Sequence, residues 1–263
     1  MFIRDVDMRR GIRVFIAEGK AKDILEMKTD MEKTPTRFVN MLFQHNNKSI
    51  ETIDSLRIGK LQGLMLKENS YVIPRLKLEK GELHTNSAAV IHGPDNKLVG
   101  RLSANETKGY NLATKKVREG MIEMNVNGDR MTFKIDDTRS KMTLNVDDPH
   151  HVEAYIDVKA DGFLGDMFGS ETMLNSNHLE EIGEKAADKM EMLIKQTIKK
   201  SQKELHADIF GVGEAIKRKH YKVWKKIHKD WERGENYFDR VTFHVNVEAR
   251  MVDIGAIDKT KRK

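Results

Sequence analysis

Apolar residues recur at three- and four-residue steps through Leu179, Ile182, Ala186, Leu193, Ile194, Ile198 and Leu205, with Glu and Lys filling the positions between. That spacing sets them on one stripe of an α-helix. Asn177 and Glu180 stand three apart at its start, the spacing of a reciprocal N-terminal cap, and no Pro interrupts the run. The pattern predicts a long packing helix over 178–208. It closes on Asp208-Ile209-Phe210-Gly211-Val212-Gly213-Glu214, where two glycines two apart permit a sharp reorientation because neither has a Cβ to clash at positive φ. A second helical pattern over 213–231 follows, through Ile216, Val223, Trp224, Ile227 and Trp231. Val241, Phe243, Val245, Val247 and Ala249 then alternate with polar residues, and that period of two predicts a half-buried final strand over 241–250.

Earlier in the chain, Ile12, Val14 and Ile16 alternate as a strand, and Gly19 turns it into a helical run through Ala21, Ile24 and Leu25. Thr34-Pro35-Thr36 marks a helix start, with Phe38, Val39, Leu42 and Phe43 as the buried stripe. Another helix is expected through Ile53, Leu56, Ile58, Leu61 and Leu64. The polar stretch from Gly81 to Asn86 reads as a boundary, dividing the chain into 1–82 and 83–263. Strands at 87–91 and 97–102 flank Gly93-Pro94-Asp95-Asn96, and further strands are expected at 121–126, 131–135, 141–146 and 152–160, with a turn at Asn127-Gly128-Asp129. Strands first and long helices late make an α+β fold: a mixed, largely antiparallel sheet with the late helices packed on it, beside a smaller N-terminal α/β unit.

The chain has 263 residues and no cysteine, which leaves room for a sizeable core and excludes disulfides, thiolate metal sites and a cysteine nucleophile. It carries no run of eighteen apolar residues. Net charge is +6, and its location matters more than its size: between Lys195 and Lys229, eleven Lys and Arg stand against three acids, a local balance of +8. Lys217, Arg218, Lys219, Lys222, Lys225 and Lys226 form the densest part. They read either as a solvated face whose aliphatic stems cover the core, or as a surface for an anionic partner such as lipid headgroups or an acidic protein patch.

Catalytic chemistry finds little support. Gly19 before Lys20 lacks the spaced glycines of a phosphate cradle, and no G-x-S-x-G elbow occurs. Asp147, Asp148, His150 and His151 are the most metal-like cluster, but adjacent imidazoles on a strand point to opposite faces, so no metal site is expected. Asp208 reads as a cap on the second helix or an anchor for the bend rather than one half of an acid pair with Glu214. Trp224 and Trp231, seven apart, share a helix face and read as core rather than a stacking platform. No nucleic-acid-binding motif accompanies the lysines, and no cofactor is expected.

The run KSQKELHADIFGVGEAIKRKHYKVWKKI, followed by an alternating strand, resembles the C-terminal domain of the Ger(x)C spore germination proteins. Lys97 to Leu102, then Glu106 to Asn111, look like that domain's opening strand and turn, and Arg9 to Lys22 is similar to the family's N-terminal domain. The resemblance implies a noncatalytic, extracytoplasmic C subunit of a nutrient germinant receptor, working with A and B subunits at the outer face of the spore inner membrane. In that reading Asp208, Gly211, Gly213 and Glu214 are a structural family motif. Family members carry a secretory signal, a lipidated cysteine and a longer N-terminal domain, so the lipid anchor and the start of that domain are expected to be absent from this chain. Where the family has Tyr-Pro, this chain has His220-Tyr221, and a straighter second helix is expected. A small-ligand-binding module, with its ligand between two domains, is the alternative from a different functional class.

Overall fold

In the computed structural model, which describes residues 11–29, 31–45, 48–148, 150–168 and 176–253, the N-terminal third is built from short pieces. These are β1 (Arg13–Val14), β2 (Ile16–Glu18), α1 (Ala21–Leu25), α2 (Pro35–His45), β3 (Leu56–Arg57), α3 (Ile58–Leu66), β4 (Tyr71–Glu79), β5 (Glu82–His92) and β6 (Lys97–Leu102). Pro35 takes the first helical position of α2, where its missing N–H costs nothing. Ile24, Val39, Phe43 and Leu76 close a small core over which Phe15 meets Phe43 in a tilted pair at 4.6 Å. Arg9, Arg10 and the rest of 1–10 lie outside the described residues. Leu56 belongs to β3 rather than to the helix expected through it, which begins only at Ile58.

The strands β2, β4, β5 and β6 form one sheet in that order, β2 parallel to β4 and the remainder antiparallel. The polar stretch at 81–86 lies in a β-hairpin. Lys80 and Gly81 both have positive φ and make the tight turn between β4 and β5, and Glu82 to Asn86 are the outer half of β5, alternating between exposed and half-buried. The inner half, Ala88 to Val90, is fully buried, with Ala88 and Val90 in the main core beside Leu102, Ile122 and Phe133.

The strand expected at 97–102 is β6, and after it the chain forms α4 (Ala104–Thr114), where a turn is expected at 106–111. A capping box explains it: Glu106 N–H donates to Ser103 Oγ at 3.4 Å, while Ser103 N–H donates to Glu106 Oε2 at 2.7 Å. Next come β7 (Gly120–Val126), β8 (Asp129–Asp148), β9 (His151–Phe168) and α5 (Ser176–Lys200). The strands expected at 131–135 and 141–146 are one strand, β8. Register shifts at Met131/Phe133 and Ile135/Asp137 let it bend without breaking its ladder to β9. Ile182, Ala186, Met190, Leu193, Ile194 and Ile198 of α5 are buried against the sheet and α4. The Asn177 side chain, with its expected cap, lies outside the described residues.

The long helix does not run regularly to 208. A π-helical turn at Ser201–Leu205 ends it, with His206 in the left-handed region. Ser201 Oγ donates to the Ala207 carbonyl at 2.5 Å, and Gln202 Nε2 donates to the carbonyls of Phe238 and Val241, both at 2.9 Å. Two short helices follow, α6 (Val212–Lys219) and α7 (Tyr221–Ile227), and a 3-10 turn at His228–Asp230. The helix expected over 213–231 is therefore broken, although no proline is present. His220 sits at φ −130°, its N–H closing α6 on the Ile216 carbonyl at 2.7 Å while its own carbonyl opens α7 by accepting from Val223 and Trp224. The last strand, β10 (Thr242–Asp253), pairs parallel to β9, giving a second sheet in the order β10-β9-β8-β7.

Candidate functional site

Asp208 sits at the point where α5 hands over to α6, and it is 5% exposed. Gly211, with φ +77°, turns the chain so that three successive amides face one carboxylate. Oδ1 accepts from Gly211 N at 2.9 Å and Val212 N at 3.0 Å; Oδ2 accepts from Gly213 N at 2.7 Å and from the Trp231 indole Nε1 at 3.0 Å. Gly213 is glycine for a different reason: a Cβ there would lie 2.5 Å from Trp231 Nε1. With all four positions occupied by N–H donors, the carboxylate holds the bend and has no lone pair turned toward a reacting group.

A second buried acid, Glu232, meets it. Its Oε1 accepts the Asp208 backbone N–H at 2.6 Å and the Ser70 hydroxyl. Ser70 Oγ in turn accepts from Gly93 N at 2.9 Å, and His92 Nε2 contacts the Glu232 carbonyl at 3.0 Å. Burial, and then the charge of Asp208, push the Glu232 carboxyl up to about 8, so it holds its proton at neutral pH. Burial also acts to raise Asp208, and its four N–H donors act against that. Glu214, at the first turn of α6, pairs with Lys67 Nζ at 3.1 Å and accepts from Asn69 Nδ2 at 3.2 Å. Burial acts to raise Glu214, but these two partners outweigh it and hold the carboxyl below its ordinary value. Glu214, and Glu232 beside Asp208, thus fasten the helical bend to the segment Lys67–Ser70, across 145 to 162 positions of sequence.

Above this knot opens a cleft of about 870 Å³, lined on one side by α3 and the start of β4, and on the other by α6, α7 and the Trp231–Arg233 segment. Tyr110 and Phe210 meet in it at 6.1 Å, and Trp224 meets Trp231 edge-on at 5.9 Å. Burial pushes the Tyr110 phenol up to about 12. Trp231 is core and Trp224 is half-exposed at the cleft wall.

Lys217, Arg218, Lys219, Lys222, Lys225 and Lys226 are all exposed on α6 and α7, and none forms an ion pair with a described residue. Lys225 lies 5.5 Å from the centre of the exposed Tyr221 ring. Lys217 lines the cleft, and the other five are exposed outside its lining. Asp148 Oδ1 accepts the His150 N–H at 3.0 Å, which shapes the β8–β9 turn. Sequence reasoning misses Ser70, His92 and Glu232. No local pattern marks a serine whose partner is 162 residues away; the one available signal is an acid adjoining a buried tryptophan in the last amphipathic turn.

Two family models match the chain: spore germination B3/GerAC like, C-terminal, over residues 86–255, and spore germination protein N-terminal domain over residues 1–78. Among curated proteins of Bacillus subtilis (strain 168), spore germination protein B3 is 26% identical over 261 residues, covering 98% of this chain and 69% of that protein. Spore germination protein A3 is 27% identical over 254 residues, covering 95% and 66%, and spore germination protein YndF is 22% identical over 247 residues, covering 94% and 61%. The chain therefore spans between about six- and seven-tenths of the length of these relatives. The crystal structure of the GerBC protein superposes with a TM-score of 0.79 at 24% identity, covering 96% of this chain and 72% of that one, and shares its fold.

Proposed function

The chain belongs to the spore germination B3/GerAC-like family, and from that membership we propose that it is the noncatalytic C subunit of a nutrient germinant receptor. It works at the outer face of the spore inner membrane, held there by a lipid anchor, beside the receptor's A and B subunits. The observation that carries the reading is the match to both family models along one continuous fold. The site geometry supports a noncatalytic role, because each oxygen of Asp208 and the contacted oxygen of Glu232 is occupied by hydrogen-bond donors within the fold. No described helix is long and apolar enough to cross a membrane.

Assembly uses the cationic surface of α6 and α7 around Arg218, Lys222 and Lys226, none of which forms an ion pair with a described residue, so they are available to an acidic surface. The test is nutrient-triggered germination of spores lacking the gene, scored by loss of optical density and complemented with the full-length gene. Loss of the response to one nutrient, with germination intact by a route that bypasses receptors, is the expected result. An unchanged response to every nutrient would count against a receptor subunit.

A further inference from the structure

The cleft above the Asp208 knot has the size of a small-molecule site; such sites run from roughly 300 to 1,000 Å³ and combine apolar walls with a few placed polar groups. Its walls supply the apolar part: Tyr110, Phe210 and Trp224 face it together with aliphatic residues of α3. Its charges are not balanced. Lys67 is neutralised by Glu214 at 3.1 Å, Lys115 pairs with Asp54 at 3.0 Å, and Arg233 is shared between Asp95 at 3.2 Å and Glu68 at 3.8 Å. Lys60, Lys217 and Lys229 also line the cleft, and none of them has an ion pair with a described residue.

On the acidic side, Glu214 lies within Coulombic reach of Lys217 but is already held by Lys67 and Asn69. Asp208 spends its oxygens on four N–H donors. Glu232 keeps its proton near neutral pH. Three uncommitted ammonium groups thus border an aromatic-walled cavity whose carboxylates are engaged elsewhere. An ammonium group attracts an anion more strongly beside a low-dielectric wall than in open water.

We propose that this cleft binds a small organic anion with an aromatic or apolar body, its carboxylate met by Lys60, Lys217 and Lys229 and its body lying against Trp224 and Tyr110. The proposal does not depend on assembly with other subunits. Its recognition rule is twofold: an anion without a body loses the wall, and a body without the charge loses the lysines.

The chain's two tryptophans both line the cleft, so indole emission reports its occupancy directly. Phenylacetate and 4-phenylbutyrate are titrated into the purified chain, with their neutral amides and inorganic phosphate as comparisons. Both carboxylates are expected to change the emission saturably, and the amides and phosphate to bind about tenfold more weakly or worse, the equivalent of one ionic contact. Lys217→Gln with Lys229→Gln should weaken the carboxylates by about tenfold and leave the urea midpoint unchanged. Trp224→Leu, followed by ligand-observed NMR, should weaken the carboxylates more than it weakens phosphate.

Equal binding of acids and amides would overturn the proposal, as would phosphate binding as tightly as the carboxylates, full affinity in the lysine double variant, or no saturable change with either carboxylate. Failure here, together with a germination defect in the deletion strain, would remove the ligand site and leave the receptor-subunit reading standing. Binding without any germination defect would do the reverse.

Discussion

The Trp231 indole donates to Asp208 at 3.0 Å, and it does so from a ring so close to α6 that a Cβ at Gly213 would lie 2.5 Å from its nitrogen. One contact thereby fixes both the angle of α6 and the position of the segment that follows α7. Gly213→Ala must displace either the ring or the helix, and overpacking of this kind costs about 1–3 kcal/mol. Asp208→Ala leaves three amides and an indole N–H buried without an acceptor and should cost more, about 3–5 kcal/mol. Urea unfolding followed by tryptophan emission measures both. Equal stability of Gly213→Ala and the native chain would mean that the ring is free to move.

The Glu232 carboxyl titrates at about 8 in the fold, against about 4.3 in an unfolded chain. A raised pKa in the folded state makes a definite prediction. Below about 4.3 both states hold the proton and the contribution to stability is complete; between about 4.3 and 8 only the fold does, so stability falls as pH rises. Glu232→Gln removes this proton while its amide oxygen can still accept from Ser70 and Asp208. The variant should match the native chain near pH 4.5, gain on it by something on the order of one kcal/mol per pH unit through the neutral range, and level off above pH 8. Urea midpoints at four pH values test this; a constant difference would show that Glu232 is not the titrating group.

Arg218, Lys222 and Lys226 are exposed and do not line the cleft. Reversing all three to Glu should leave the unfolding midpoint unchanged, because no described residue pairs with them, and should lower co-purification with the proposed partner subunits. Raising the salt concentration should weaken the native association in the same way, since exposed charges separated by more than about 10 Å are screened at 0.1 M. Undiminished co-purification of the triple variant would exclude this face as the docking surface.

What was legible in the sequence is what depends on near neighbours. The stripe from Ile182 to Ile198 identifies α5 because its members repeat at whole helical turns and so share one face. The Asn127-Gly128 turn is legible because both residues need positive φ, and both have it. The continuity of β8 is not, because Asp136-Asp137 looks like a break. In the fold Asp137 sits at a register shift and is met by Lys116 at 2.9 Å and Arg118 at 3.4 Å, charges twenty residues away. The break at His220 is set by backbone hydrogen bonds rather than by a proline. Half of the Asp208 knot is local and readable as a capped bend. Ser70 and Glu232 are not, since their partnership exists only after the N-terminal sheet has docked on the helical bend.

Glycines inside helices give a test in which two known effects oppose each other. Alanine is the better helix former by about 0.8–1 kcal/mol, so Gly→Ala within a helix stabilises wherever there is room. Gly63 in α3 has nothing within 4 Å of the position a Cβ would take, and Gly63→Ala should gain stability of that size. Gly109 in α4 differs: its Cβ would lie 2.2 Å from the Leu193 carbonyl oxygen of α5. Gly183 in α5 would meet the Ala249 carbonyl oxygen at 2.7 Å. Both obstacles are backbone, which cannot rotate aside as a side chain can, so α4 must separate from α5, or α5 from β10. Overpacking then outweighs propensity, and each substitution should destabilise by a net 1–3 kcal/mol or so. The two sites are on different contacts of α5, so the double variant should be close to additive if α5 is a rigid bar. A double variant no worse than either single would mean that α5 shifts as a body, relieving both clashes at once.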